Sequence, residues 1–225
     1  STEAGKAYVF YGSNSGVSQG NNTAVIGGPN DKLGTFVHGA GDVNGDGFAD
    51  IIVGVDAYDP GGSALGRAEV YPGGPLGLIT TPLYTATGEN DDDHFGFAVA
   101  GGDLDGDGFS EFAVGAYEFD VNPLISTTNE GKAYAYVACS NGTVAPSQIF
   151  STTGEGLSNG YGRSLAIVDD VNGDEIDDLV VGAYGFRPPT AKRSAYRAGG
   201  AGRRPPREVP NSVDCALAPT LVLRP

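Results

Sequence analysis

The sequence is poor in the residues that carry redox chemistry, acid–base catalysis and nucleic-acid binding. It contains no Trp or Met and only 2 Cys and 2 His. Positive charge is scarce as well, because residues 1–186 hold 5 Lys and Arg against 26 Asp and Glu. A body with this charge repels phosphate groups, so we expect no nucleic acid among its partners. Cys139 and Cys215 lie in segments of different character, which does not favour a disulfide between them.

Longer signatures are missing too. No apolar run approaches the roughly 18 residues that a membrane-spanning helix needs, so we predict no membrane span in this chain. The sequence has no HExxH zinc motif and no glycine-rich phosphate loop. His38 and His94 have no Ser or carboxylate partner at a repeated position, which is typical of structural histidines. We therefore predict that the chain is not an enzyme.

What the sequence does have is abundant glycine, 37 residues, and an internal repeat. Three acidic segments share one pattern: GDVNGDGFADIIVGVDAY from Gly41, GDLDGDGFSEFAVGAY from Gly102 and DDVNGDEIDDLVVGAY from Asp169. Their first aligned acids, Asp42, Asp103 and Asp170, are 61 and 67 residues apart. A second motif keeps nearly the same period, in segments that begin at Gly5, Gly66 and Gly131. Two motifs with one period indicate a duplicated structural unit.

Each unit is predicted to hold about four strands and no sustained helix. In the middle unit we predict strands over 95–102, 111–117, 131–138 and 147–154 from their apolar or alternating patterns. Four-stranded units at a period above 40 residues are typical of β-propeller blades. The predicted fold is therefore an all-β, incomplete propeller over residues 1–186. We place its boundaries at 1–31 for the end of a blade, 32–88 and 89–153 for two full blades, and 154–186 for the start of another.

The acidic loops have a ligand-like spacing. Counting from the first acid, side-chain oxygens fall at positions 1, 3, 5 and 9, and position 7 can offer its backbone carbonyl. Hard oxygen ligands in this number suit Ca²⁺, at about 2.3–2.6 Å, better than Mg²⁺, which prefers strict octahedral geometry with several waters. Without a cation, two carboxylates about 4 Å apart repel each other by roughly 1 to 4 kcal/mol. The charge density of each loop therefore indicates a metal ion.

We predict up to three Ca²⁺ sites, one in each loop. The predicted ligands of the first loop are Asp42, Asn44, Asp46, Asp50 and the carbonyl of Phe48. Those of the second loop are Asp103, Asp105, Asp107, Glu111 and the carbonyl of Phe109. Those of the third loop are Asp170, Asn172, Asp174, Asp178 and the carbonyl of Ile176. The third loop has Glu175 at position 6, where the others have glycine, so we expect its site to be the weakest.

These segments resemble the FG-GAP repeats of integrin α-subunit propellers and of secreted bacterial proteins. The FG motif stands at Phe95-Gly96, as Tyr161-Gly162 and as Leu33-Gly34, and the GAP motif as GAY at 115–117 and 182–184. The loops are not EF-hands, because position 12 is a valine inside an apolar run instead of a bidentate Glu. The resemblance covers residues 1 to about 186 and implies a seven-bladed propeller with Ca²⁺ on loops at one face. Since only two full units are present, we expect a fragment of a longer propeller.

The resemblance implies an extracellular protein, secreted or on the cell surface. We expect a non-catalytic module for adhesion, which binds a protein or glycan ligand on its propeller loops. The alternative is an accessory propeller of a secreted hydrolase, or a propeller-type polysaccharide lyase. A lyase needs a base and a charge-neutralising group, and Arg67 and Arg163 are the only arginines of the repeat region.

Two further segments complete the sequence predictions. The tail, 187–225, is rich in Pro and Arg, and we interpret it as disordered or as read out of frame. The acidic segment 90–95 is interpreted as an exposed loop before the FG strand.

Overall fold

The structure is a computed structural model that describes residues 3–122, 128–137 and 147–187. These residues form twelve β-strands and no helix, so they offer no helix of the length and apolar character that crossing a membrane requires. All twelve strands belong to one unit, Ser1–Arg187. The predictions for the tail beyond Arg187 and for the two cysteines fall outside the described residues.

The strands form four antiparallel sheets, each made of strands that are consecutive along the chain. The N-terminal hairpin contains β1 (Lys6–Ser13) and β2 (Gly16–Ile26). The first four-stranded sheet contains β3 (Val37–Gly41), β4 (Asp50–Val55), β5 (Arg67–Tyr71) and β6 (Tyr84–Thr87). The second contains β7 (Phe95–Gly102), β8 (Glu111–Ala116), β9 (Lys132–Val137) and β10 (Ser147–Thr153). The C-terminal hairpin contains β11 (Tyr161–Val168) and β12 (Asp178–Ala183).

This architecture confirms the predicted all-β, incomplete propeller. The four strands predicted for the middle repeat agree with β7 to β10 within a residue or two at each end. β8 is buried at every position, including Glu111 at its start. The blade boundaries proposed from the sequence remain predictions, although each four-stranded sheet lies inside one of the proposed blades.

The hydrophobic core lies between neighbouring sheets. One core cluster contains buried residues of both four-stranded sheets. The second sheet contributes most of its aromatic rings, and there Phe95 lies 5.1 Å from Tyr134 and Phe112 lies 5.3 Å from Tyr136, measured between ring centroids. A second cluster joins the N-terminal hairpin to the first four-stranded sheet through Ala7, Val25, Leu33, Val53, Val55 and Tyr71. The sheets are therefore held face to face, as blades of a propeller are.

A backbone contact repeats where neighbouring sheets meet. Isolated parallel bridges join Gly5 to Leu33, Gly66 to Phe95 and Gly131 to Tyr161. Each bridge joins the two repeated motifs, the start of the third strand of one unit and the FG position of the next. Beside these bridges, a Cβ on Gly54 would overlap the carbonyl oxygen of Gly96, and one on Gly115 would overlap that of Gly162. Glycine is required at these positions because the two backbones touch.

The acidic segment 90–95 is not simply an exposed loop, so that interpretation is wrong for part of it. Asp91 and Asp92 are exposed, but the side chain of Asp93 is buried, and its residue is 1% exposed. The Asp93 Oδ2 atom accepts a hydrogen bond of 2.8 Å from the backbone N–H of Asn90. Asp93 therefore closes a turn before β7.

Candidate metal centre

The three acidic loops connect the first and second strands of each unit. They join β3 to β4, β7 to β8 and β11 to β12. The loops are also joined to one another, because the N–H of Ser110 donates to the carbonyl of Asp42 at 3.0 Å and that of Asp177 donates to the carbonyl of Asp103 at 3.1 Å. Consecutive loops therefore lie side by side at one end of the sheets.

The first loop curls around its own acids. The two carboxylate oxygens of Asp42 accept hydrogen bonds from the N–H groups of Asp46 (3.1 Å) and Gly47 (2.8 Å). The side-chain oxygen of Asn44 accepts from the N–H of Asp46 at 2.9 Å, and Asp46 Oδ1 accepts from the N–H of Phe48 at 2.9 Å. The side chains at positions 1, 3 and 5 are thus held in one tight turn.

Asp50, at position 9 of the first loop, has both carboxylate oxygens engaged. They accept hydrogen bonds from the N–H of Val43 at 3.0 Å and that of Gly73 at 2.9 Å. Burial raises the pKa of Asp50, the two N–H groups oppose that shift, and the charges of Asp46 and Asp42 add to it. Asp50 ties the loop to the connection between β5 and β6.

The second loop repeats this turn. The two oxygens of Asp103 accept hydrogen bonds from the N–H groups of Gly106 (2.7 Å) and Gly108 (3.0 Å). Asp105 Oδ1 accepts from the N–H of Asp107 at 3.2 Å, and Asp107 Oδ1 accepts from the N–H of Phe109 at 2.9 Å. Burial raises the pKa of Asp105, and the neighbouring charge of Asp107 raises it further.

Glu111, at position 9 of the second loop, is the most unusual acid of the site. Its side chain is fully buried, and Oε2 accepts a hydrogen bond of 2.7 Å from the N–H of Leu104. The other oxygen, Oε1, is buried with no hydrogen-bond partner. Burial raises the pKa of Glu111 to about 8, and the charges of the three loop aspartates add to that shift. A buried, ionised carboxylate with an unpaired oxygen is costly, so such a group either takes up a proton or needs a cation beside it.

Three carboxylates of the second loop converge. Each of Asp103, Asp105 and Glu111 places one carboxylate oxygen within 4.8 Å of the other two. Such convergence of like charges with an unpaired buried oxygen is what a site for a hard divalent cation requires. The residues therefore fit Ca²⁺, which would be held by these three carboxylates and would offset their repulsion.

The third loop has the same turn on a more exposed surface. Asp170 Oδ1 accepts from the N–H groups of Gly173 and Asp174, and Oδ2 accepts from that of Glu175 at 2.9 Å. Asp174 Oδ1 accepts from the N–H of Ile176 at 3.1 Å. The N–H of Glu175 contributes most to lowering the pKa of Asp170.

Asp178 completes this loop, with one oxygen accepting from the N–H of Val171 at 2.7 Å and the other from the side-chain amide of Asn172 at 3.3 Å. Glu175 has φ of 68°, where Gly47 and Gly108 have 86° and 90°. The position thus demands a left-handed backbone, as the sequence suggested, and only the third loop meets it with a side chain.

From the sequence we predicted only that the backbone carbonyl at position 7 of each loop is a ligand. We did not predict that the side chain at this position packs on the preceding loop. The ring of Phe109 lies directly over Gly45 of the first loop, and the side chain of Ile176 lies over Gly106 of the second loop. The signal was present in the sequence, because position 7 is apolar in all three loops. Contacts between different loops, however, are set by how the sheets stack.

A second feature that the sequence did not reveal lies at the other ends of the same strands. The guanidinium of Arg163 is 5.0 Å, 4.8 Å and 5.0 Å from the ring centroids of Phe97, Tyr117 and Tyr184. A polar cavity of about 180 Å³ beside it is lined in part by Tyr117, Glu118 and Tyr184. Tyr and Arg are enriched at protein interfaces, so this aromatic cluster is a candidate ligand surface.

Comparison with known proteins places these features in a family. The FG-GAP repeat model matches residues 34–71, 95–136 and 161–203. Mouse integrin alpha-IIb is 34% identical over 166 residues, which cover 70% of this chain and 15% of that protein. Rat integrin alpha-7 is 37% identical over 153 residues, covering 63% and 12%. Bovine phosphatidylinositol-glycan-specific phospholipase D is 32% identical over 163 residues, covering 69% and 19%. The chain thus spans less than a fifth of each of these relatives.

Proposed function

The chain belongs to the FG-GAP repeat family, and from this premise we propose that it is a calcium-binding, non-catalytic interaction module of the integrin-like β-propeller type. The observation that carries the proposal is the fully buried Glu111 carboxylate. One oxygen of this carboxylate is buried without a hydrogen-bond partner, and one of its oxygens lies within 4.8 Å of oxygens of Asp103 and Asp105. A divalent cation relieves the repulsion among these three groups and satisfies the buried oxygen.

The structural role of the ion is to fix the loops. Each loop links two strands of one unit and is hydrogen-bonded to its neighbour through backbone groups. An ion held by side chains at positions 1, 3, 5 and 9 therefore joins the start of the second strand to the turn before it. We expect Kd values of about 10⁻⁴–10⁻³ M, which suit extracellular calcium. We propose a secreted or cell-surface location, where calcium concentrations would fill such sites.

The proposed ligand is a protein or a glycan bound at propeller loops. Support comes from the aromatic cluster around Arg163, where Tyr184 is 73% exposed. Relatives named as integrins favour an adhesive role. Because the body of the chain is strongly acidic, a nucleic-acid ligand is disfavoured.

Isothermal titration with CaCl₂ after chelator treatment tests the calcium proposal. We expect saturable uptake of up to three ions, and tighter binding of Ca²⁺ than of Mg²⁺. Glu111→Gln should remove one ion from the stoichiometry, because the neutral amide keeps the shape of the side chain without its charge. Glu155→Gln, at an exposed position outside the loops, is the matched control and should leave the stoichiometry unchanged. Absence of uptake by the wild-type chain would refute the proposal.

A second candidate is an accessory propeller of a hydrolase. The similarity to phosphatidylinositol-glycan-specific phospholipase D favours it. The lyase alternative gains less support, because Arg67 is paired with Asp31 (3.3 Å) and Glu69 (2.9 Å) and Arg163 lies among three rings. Sequencing the gene on both sides of this segment distinguishes the candidates. An adjoining catalytic domain supports the accessory role, and further blades without one support the interaction module.

A further inference from the structure

The first and second metal loops are each covered by an apolar side chain of the next loop along the chain. In the first loop, Gly45 at position 4 has φ of 72°, and a Cβ there would overlap the ring of Phe109. In the second loop, Gly106 has φ of 77°, and a Cβ there would lie 3.2 Å from Cγ1 of Ile176. Phe109 and Ile176 both occupy position 7 of the next loop along the chain.

Backbone hydrogen bonds accompany this packing. The N–H of Ser110, directly after Phe109, donates to the carbonyl of Asp42, and the N–H of Asp177, directly after Ile176, donates to the carbonyl of Asp103. Asp42 and Asp103 are the first predicted ligands of their loops. The side chain at position 7 of one loop thus packs on position 4 of the preceding loop. The N–H at position 8 donates to the carbonyl at position 1 of that same preceding loop.

We propose that Phe109 is a positioning residue for the first metal loop and Ile176 for the second, so that each metal loop is completed by the sheet that follows it. This inference rests on the proposed calcium function. Both side chains close the position-4 turn, around which the ligands at positions 1, 3 and 5 are arranged. Within the described residues nothing lies within 4 Å of a Cβ placed on Gly173, the equivalent glycine of the third loop.

Phe48 offers a matched comparison. It occupies position 7 of the first loop, and it is 39% exposed, close to the 36% of Phe109. Its Cβ lies 3.1 Å from a Cβ placed on Gly73, which lies in the connection between β5 and β6 of the same unit. Phe48 therefore covers no other described metal loop. The two rings are exposed to a similar extent, so Phe48→Ala and Phe109→Ala remove similar amounts of apolar surface. Only Phe109 covers a neighbouring loop.

Variants that retain a single loop make the test specific. Asp105→Ala with Asp174→Ala leaves the first loop as the calcium site, and Asp46→Ala with Asp174→Ala leaves the second. Adding Phe109→Ala should weaken calcium binding by the first loop about tenfold. The same substitution should weaken binding by the second loop clearly less than binding by the first, because Phe109 provides only its backbone carbonyl to the second loop. Phe48→Ala should likewise weaken binding by the first loop clearly less than Phe109→Ala does, because it keeps the position-7 carbonyl and removes no cover from that loop.

Two further variants guard against a general loss of folding. Phe109→Ile introduces the side chain type found at position 7 of the third loop, and it should keep most of the first-loop affinity. Gly45→Ala should weaken the first loop more than Gly173→Ala weakens the third, since both glycines have positive φ but, within the described part of the chain, only Gly45 lies under a ring. Circular dichroism of each variant checks that the sheets are retained.

The outcomes separate the two proposals. Equal effects of Phe109→Ala and Phe48→Ala on the first loop, or a loss confined to the second loop, would overturn the positioning role while calcium binding stands. Equal effects of Gly45→Ala and Gly173→Ala would overturn it as well. No calcium uptake by any variant or by the wild-type chain would overturn the calcium function itself.

Discussion

The imidazole of His94 lies beside the carboxylate of Asp56, with Nδ1 and Oδ2 3.6 Å apart. His94 directly precedes the second four-stranded sheet, and Asp56 directly follows β4 of the first. The other oxygen of Asp56 accepts a hydrogen bond of 2.7 Å from the hydroxyl of Thr35. Asp56 raises the pKa of His94 against the opposing effect of burial. Burial raises the pKa of Asp56, but the contacts with His94 and Thr35 outweigh burial and lower that pKa below its usual value. The two residues form an ion pair between neighbouring sheets.

The first prediction concerns the pH dependence of this pair. Because the folded-state pKa of His94 is above its usual value of about 6.5, its stabilising effect is fully present below that value and is lost as pH rises through the folded pKa. His94→Gln should therefore lower the melting temperature by about 2–4 °C at pH 5.5, and by less at pH 8.5. Thermal unfolding of both proteins at the two pH values measures this. Equal losses at both would contradict it.

The second prediction concerns Asp93, whose burial raises its pKa to about 6. The folded state then holds a proton that the unfolded state releases near pH 4, so the free energy of unfolding falls as pH rises from about 4 to 6. Asp93→Asn should remove about 2 kcal/mol of this decline, since one pKa unit corresponds to about 1.4 kcal/mol. Asn159 occupies the same position before β11 and is also buried. Urea unfolding at pH 4.5 and 7 in chelator checks the difference, and parallel pH curves for variant and wild type would count against it.

The third prediction tests the second loop by stability. Asp105→Ala should lower the melting temperature by about 2–4 °C in calcium, when the ion is present at about ten times its Kd, and should change it little in chelator. Differential scanning calorimetry in both buffers gives the comparison. Asp91→Ala, at an exposed acid outside the loops, serves as the control. A loss of the same size with and without calcium would show that Asp105 acts without a metal.

The fourth prediction concerns the left-handed backbone at Glu175. A side chain in this conformation costs about 1–2 kcal/mol, which reduces the population of the turn that binds calcium. Glu175→Gly should therefore strengthen calcium binding by the third loop roughly fivefold. Calorimetric titration of a chain with Asp46→Ala and Asp105→Ala, which retains the third loop, measures the change. Gly108→Glu should have the opposite effect on the second loop, and unchanged affinities in both would rule out strain as the cause.

The fifth prediction concerns the contact between sheets at Gly115. A methyl group there would overlap the carbonyl oxygen of Gly162, so Gly115→Ala should lower the free energy of unfolding by about 3 kcal/mol. Gly39→Ala is the matched control, because Gly39 is also in a strand and nothing lies within 4 Å of its added Cβ. Urea unfolding of the two variants should separate them clearly. Similar stabilities would mean that the sheets can shift apart at little cost.

Much of the fold was predictable from the sequence because the repeat reports the same local pattern several times. β7 was predicted at 95–102 and is found there, and the acidic turns recur with the same backbone N–H groups donating to Asp42, Asp103 and Asp170. Local spacing determines such features, so three copies strengthen one another. Family membership was also predicted correctly from the FG and GAP motifs.

The missed features depend on how separate units meet. Spacing alone could not show that Glu111 leaves one oxygen without a partner, while Asp50 and Asp178 have both oxygens engaged. The contact of Phe109 with Gly45 joins residues 64 positions apart in sequence, and it follows from the stacking of two sheets. The burial of Asp93 was missed because three consecutive aspartates suggest solvent exposure. The turn in fact buries Asp93 and leaves Asp91 and Asp92 exposed.

The repeated meeting of main chain with main chain, Gly54 against Gly96 and Gly115 against Gly162, has a consequence for how such a protein can change over time. At these positions peptide groups meet peptide groups, so this part of the contact needs no matched pair of side chains, whereas the buried clusters beside it do. The connecting segments at either end can then vary in length and chemistry while the stacking geometry persists. An architecture joined in this way is well suited to acquiring new recognition specificities without redesign of its framework.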